Sequence, residues 1–325
     1  MSMTTALTER LAIKHPILLA PMDIVSDARL TAAVTQAGGL GILGGGYGDE
    51  AWLTRELELL AASQARHGVG FITWSLAKTP RLLDLVLERK PAAVMLSFGD
   101  PVPFVDRIHN AGALAICQVQ TVELATQAVA AGADILVAQG TEGGGHGASR
   151  GLVTLVPEVV DATKGKALVV AGGGIADGRG LAAALLLGAC GALVGTRFYA
   201  TKEAGGADAA KERILAANGD ASLRSIVFDI SRRNVWPAPF TGRCLRNQHL
   251  DAWYGREMEL MRNLDAEAPK YAAAREAADF DVAAVIAGES AGLVHDIKTA
   301  REVVEDMVGE ATTLLRAPAG VGFAS

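Results

Sequence analysis

Aromatic residues make up only 5% of the 325-residue chain, and cysteine occurs three times, at Cys117, Cys190 and Cys244. Three widely separated cysteines cannot pair completely, and no C-x-x-C spacing occurs. A disulfide framework and a zinc ribbon are thereby excluded. Cys117 and Cys190 lie in apolar runs and read as small buried hydrophobes. No uninterrupted apolar segment reaches membrane-spanning length. The opening MSMTTALTERLAIKHP carries charges where a secretory signal has its apolar centre. The expectation is a soluble cytoplasmic protein with no membrane partner. Low-complexity tails and coiled-coil heptads are also missing. So is any basic excess: the formal net charge is -6, which argues against nucleic acid as the main partner.

Half of the residues are hydrophobic, enough for one large α/β domain or a main domain with an appendage. Short apolar runs recur at 17–20, 40–43, 69–73, 92–96, 114–117, 135–138, 167–171 and 192–195. Each is too short for an ordinary helix and ends in Gly, Pro or polar residues. Between them, stretches such as 27–37, 50–67, 122–131 and 178–187 have helical spacing. Several close with a glycine just before the next run: QAGGLGIL, NAGALAIC, AAGADILV, LGACGALV. Apolar strands alternating with helices predict parallel pairing with both faces covered. Eight such units point to an α/β fold, a (β/α)8 TIM barrel, ahead of a doubly wound sheet.

After Thr196 the rhythm stops. Residues 202–224 and 248–280 are charged, Ala-rich and helical in character, and SRRNVWPAPFTGRCLRN between them reads as irregular. An amphipathic helix is expected at about 298–315. The expected division is a barrel at 1–201, a mostly helical cap at 202–288 over its mouth, and a segment at 289–325 whose helix returns to the barrel.

In such a barrel the active site forms at the carboxyl ends of the strands. Ala20-Pro21-Met22-Asp23 follows the first strand, and QGTEGGGHG, residues 139–147, follows the sixth. AGGGIADG, residues 171–178, follows the seventh, and the eighth ends in LVGTRF. Glycine N–H groups and a helix amino terminus hold a phosphate without a lysine. Alone, GGG is a tight turn. Paired with VGT one unit later, it points to phosphate binding, with the Thr196 hydroxyl as a further donor. A dinucleotide reading is weaker, because no acidic residue is suitably placed after the first strand and turn.

These motifs resemble the nitronate monooxygenase family, formerly called 2-nitropropane dioxygenases, which are FMN-dependent barrels. The resemblance rests on AP-M, QAGGLGILGGG, AQGTEGGGHG, AGGGIADG and ALVGTRF, and on AGESAGLVHDIKTAREVVEDM toward the end. It implies an FMN phosphate on Gly173, Gly174, Gly195 and Thr196. It also implies that the backbone of Ala20, Pro21 and Met22 faces the isoalloxazine edge, and that Gln139, Gly144 and Gly145 touch the cofactor. His146 matches the family's catalytic base. One departure concerns the family's Gly-Val-Asn after the third strand. Here the chain reads Gly70-Phe71-Ile72-Thr73-Trp74, so Ile72, Thr73 or Trp74 takes the asparagine's place.

The resemblance implies oxidation of alkyl nitronates, propionate 3-nitronate among them, with O2 to a carbonyl product and nitrite. The partners would be a small anionic nitronate and O2. Rival readings are an NAD(P)H:quinone or enoyl-ACP reductase on the same barrel, and a non-catalytic flavin-binding protein. No metal is expected, since Glu142 and His146 lack an evident third ligand. Glu142 is instead expected to anchor its loop by accepting backbone hydrogen bonds. His15, His67, His109, His249 and His295 read as surface residues. Arg150 is read as pairing with a carboxylate or phosphate, or as solvated. Arg232, Arg233, Arg243 and Arg246 are read as cap surface or as receivers of an anion. Trp74 and Trp236 are read as core or pocket lining. Substrate, use of NAD(P)H and oligomeric state stay open, a homodimer included.

Overall fold

The computed structural model describes residues 3–316. Residues 317–325 of the expected segment 289–325, and Met1 and Ser2, lie outside the described residues. The strands in chain order are β1 (Ile17–Leu19), β2 (Gly41–Gly44), β3 (His67–Ile72), β4 (Ala93–Ser97), β5 (Leu114–Val119) and β6 (Ile135–Gln139), then β7 (Gly145–Gly147), β8 (Leu168–Gly172), β9 (Ala192–Val194), β10 (Ser222–Ser225) and β11 (Thr241–Leu245). Eight of them pair in parallel in the order β1-β9-β8-β6-β5-β4-β3-β2. The ring closes between β1 and β2: Leu19 N donates to Leu40 O, and Leu40 N donates to Ile17 O. All eight expected strands are present, within a few residues of their predicted bounds.

Alternation along each strand divides the core in two. Leu18, Ile42, Met95, Ile116, Ile135, Val137, Val170 and Leu193 point into the barrel and form one cluster. Their neighbours Ile17, Leu19, Val94, Leu96, Leu136 and Ala138 point outward and pack under the helices. The helix Ala6–Leu11 plugs the amino-terminal end. Its Leu7 and Leu11 are fully buried within the interior cluster. Filling that end with apolar side chains leaves the carboxyl ends of the strands as the open face.

Beyond the barrel, helices Asp208–Ala216, Val227–Ser231, Gln248–Trp253, Glu257–Arg262 and Leu264–Glu276 surround β10 and β11. The segment that reads as irregular therefore contains a strand. β11 pairs antiparallel with β10 on one side and with β7 on the other, with Gly242 opposite His146. The helix Ala300–Arg316 packs most extensively on the helix Gly178–Leu186. Glu310 Oε2 accepts from Gly178 N at 2.7 Å.

Three histidines depart from the surface reading: His15, His67 and His249 are buried. His249 Nε2 pairs with Ser231 Oγ at 2.8 Å and stacks near Phe228, and His67 Nδ1 lies 3.0 Å from Ala65 O. Imidazole is small and apolar enough to be buried, and in His67 and His249 one nitrogen finds a partner. Burial lowers the pKa of all three.

Candidate functional site

The loops that follow the strands converge on the open face. After β1, Ser26 Oγ donates to Ala20 O at 2.7 Å and accepts from Met22 N at 3.2 Å, which fixes the turn Ala20-Pro21-Met22. A Cβ built on Gly195 would lie 3.6 Å from Met22 Sδ and 3.4 Å from Ala20 Cβ. The loops after β1 and β9 are thus neighbours. β8 and β9 leave the sheet side by side, in the register Gly172↔Leu193. Gly173 and Gly174 then take φ of +104° and +74°, conformations that cost little only for glycine. The backbone N–H groups of Gly173, Gly174, Gly195 and Thr196 donate to no acceptor among the described residues. Thr196 Oγ1 accepts from Gly288 N at 3.0 Å, so its own proton stays available to donate.

The glycine tract after β6 is held from outside. Gly144 sits against the backbone of the crossing segment: a Cβ there would lie 2.7 Å from Ala287 C and from Gly288 N. Glu142 accepts from Leu152 N at 2.9 Å, and its carbonyl accepts from Glu289 N. A half-buried arginine from β10 and a buried one from β11 bind the carbonyls that the glycines leave uncovered. Arg224 donates to the carbonyls of Thr141, Gly143 and Gly145, and Arg243 Nε donates to Thr141 O. Charged hydrogen bonds of about 1.5–3 kcal/mol each outweigh the roughly 0.5–1 kcal/mol per glycine of lost backbone freedom. Burial pushes the Arg224 guanidinium down to about 10, and the neighbouring Arg243 adds to the effect.

The four arginines singled out in the cap are engaged within the protein. Arg243 also pairs with Glu289, Arg246 with Asp251, Arg233 with Asp265, and Arg232 donates to Tyr271 Oη. Arg150 pairs with Glu158.

His146 lies on β7, between barrel and cap. Its Nε2 is 3.0 and 2.9 Å from the two carboxylate oxygens of Asp229, and the side chains are only 10% and 8% exposed. Trp236 stacks flat on the ring, with centroids 3.4 Å apart and planes 7° apart. Phe98, Trp74, Tyr47 and Phe240 extend this aromatic wall, and Trp236 Nε1 donates to Tyr47 Oη at 3.1 Å. Burial lowers the His146 pKa, the Asp229 hydrogen bond and charge oppose that, and Arg232 and Arg224 reinforce it.

At the barrel mouth, Gln139 Oε1 accepts from Gln118 and Gln120, and its amide donates to His146 O. Three buried polar atoms nearby lack a partner: Thr73 Oγ1, Trp74 Nε1 and Gln120 Oε1. Buried polar groups are rarely left this way. Ala20–Met22, Gln139, Gly144, Gly145, Gly173, Gly174, Gly195 and Thr196 all gather at this one end of the barrel, with the His146 ring turned toward the cap. The flavin that the resemblance implies fits the residues present: undonated N–H groups for a phosphate at β8 and β9, and unpartnered polar atoms after β3 and β5 for a polar ring edge. Asp229, Arg224 and the wall formed by Tyr47, Phe98 and Phe240 carried no sequence signal that singled them out.

Comparison with known proteins decides the family, since residues 4–66 and 69–310 match nitronate monooxygenase. The chain belongs to the nitronate monooxygenase family. It is therefore an oxidoreductase. A nitronate monooxygenase of Neurospora crassa is 32% identical over 343 residues, covering 92% of this chain and 89% of that protein. A (3aS,4S,5R,7aS)-5-hydroxy-7a-methyl-1-oxo-octahydro-1H-indene-4-carboxyl-CoA dehydrogenase of Mycobacterium tuberculosis is 31% identical, covering 97% of this chain and 98% of its own. Among solved structures, FabK from Thermotoga maritima superposes with a TM-score of 0.84 at 29% identity, covering 97% of this chain and 98% of that one. No described helix is long and apolar enough to cross a membrane.

Proposed function

We propose that this member of the family is an FMN-dependent enzyme that oxidises alkyl nitronates with O2 to a carbonyl product and nitrite, with His146 as the base for neutral nitroalkanes. The observation that carries this reading is a nearly buried histidine with a carboxylate partner, beside loops whose N–H donors lack acceptors. FMN would be held by its phosphate on Gly173, Gly174, Gly195 and Thr196, with Ala20–Met22, Gln139, Gly144 and Gly145 along the ring. When bound, it supplies the electron-accepting centre and the route to O2. The protein's own part is positioning and proton control. The aromatic wall shields one face of the His146 ring, and the lowered pKa of His146 keeps that ring neutral, ready to take a proton. A substrate already supplied as its nitronate needs no proton removed.

The rival reading, reduction by NAD(P)H, would need cations for the phosphates of a second cofactor. Three of the cap arginines, Arg233, Arg243 and Arg246, are ion-paired within the protein, which favours the nitronate reading. Anaerobic mixing separates the two. The flavin spectrum bleaches on adding a nitronate and stays oxidised with NADH; rapid bleaching by NADH alone defeats the proposal.

A further inference from the structure

We infer that Asp229 is the positioning residue of the catalytic base: its carboxylate holds His146 as the Nε2–H tautomer and leaves Nδ1 as the nitrogen that takes the proton. This rests on the base role proposed for His146.

An ionised carboxylate only accepts hydrogen bonds, so a ring nitrogen 2.9 and 3.0 Å from both of its oxygens must carry the hydrogen. In a neutral ring the other nitrogen then holds a free lone pair. Nδ1 makes no hydrogen bond among the described residues, and it is not among the atoms sealed from solvent without a partner. The ring cannot easily turn to exchange its nitrogens. Trp236 covers one face at 3.4 Å, and a Cβ at Gly242 would lie 3.5 Å from Nε2. The backbone of His146 is fixed in the ladder opposite Gly242. Nδ1 itself is not sealed from solvent, which leaves its in-plane lone pair accessible.

The charges around the pair are consistent with this division. Arg232 and Arg224 face His146 from the cap, and Asp229 is the anion that offsets them. Cys244 lines the small cavity beside the pair, and burial pushes its thiol up to about 12, so it is neutral there. With a neutral nitroalkane, the Nδ1 lone pair takes the α-proton. The C–H electron pair becomes the C=N bond of the nitronate, and an N=O π pair moves onto oxygen. The imidazolium so formed faces the Asp229 carboxylate, which stabilises its charge.

The test uses the flavin-loaded protein with 15N-labelled histidine, as wild type, Asp229→Asn and Asp229→Glu, with His146→Asn to assign the signal. Long-range proton–nitrogen spectra distinguish a protonated Nε2 from a protonated Nδ1. Wild type is expected to show Nε2–H, Asp229→Glu to keep part of that preference, and Asp229→Asn to lose it. The titration midpoint of His146 falls in Asp229→Asn, because the carboxylate that raised it is gone. Nitroalkane turnover falls on the order of 10²-fold with its acid limb moved to lower pH, while nitronate turnover changes less than about tenfold. A protonated Nδ1 in wild type, or an unchanged titration in Asp229→Asn, overturns the assignment. Should Asp229→Asn fail to fold, the wild-type tautomer alone decides. If wild type consumes neither substrate yet shows Nε2–H, the proposed function falls and the tautomer assignment stands.

Discussion

At His146, burial and the Asp229 carboxylate pull in opposite directions, and burial wins. The ring is neutral in ordinary buffers, so kcat/KM for a neutral nitroalkane should rise with pH through a value below 6.5 and then level off. Replacing the ring by an amide removes the base and keeps a polar group. His146→Asn should lose nitroalkane turnover by on the order of 10²-fold or more and largely retain turnover of a pre-formed nitronate. Steady-state rates on the two substrates check this, and equal losses on both refute the base role. His146 was legible in the sequence because a lone histidine in a glycine tract after an apolar run is conspicuous. Asp229 was not. It lies 83 residues downstream in a one-turn helix, and no spacing rule links a side chain to a partner supplied by another element.

At the scale of elements, β7 shows how far local pattern reaches. Gly145-His146-Gly147 has almost no strand propensity, and it is a strand because β11 pairs with it and arginines hold the preceding carbonyls. The eight barrel strands were legible because each is an apolar run between glycine-closed helices. β11 reads as a loop because its neighbourhood carries prolines and arginines. Its alternation of Gly242 and Cys244 with Arg243 and Leu245 emerges only once the arginine is seen to be buried. The crossing segment gives a direct test of the loop's packing. Gly144→Ala places a methyl 2.7 Å from backbone atoms of Ala287 and Gly288, and overpacking of this kind costs roughly 1–3 kcal/mol. Denaturant unfolding should register that loss, and a variant as stable as wild type would show that the contact yields freely.

Across the whole molecule, buried histidines set how stability follows pH. His15, His67, His146 and His249 all have pKa values lowered by burial from the ordinary 6.5. Below 6.5 the unfolded chain binds protons that the folded chain refuses, so stability rises with pH there and is lost on acidification. Asp23 and Asp27, raised by burial, act with the opposite sign, starting from the carboxylate range near 3.8. The melting temperature should therefore fall between about pH 7.5 and pH 5.5, and less steeply in His67→Gln. A flat or rising Tm over that span contradicts the account. Chain order adds a last consequence. The helix Ala300–Arg316 covers Gly178–Leu186, the helix that opens directly after the glycines of the β8 loop. During synthesis the ribosome delivers that cover more than a hundred residues late. Until it arrives, the nascent barrel carries a bare apolar stripe beside its unfinished β8 loop, a surface on which chaperones, and aggregation, would act.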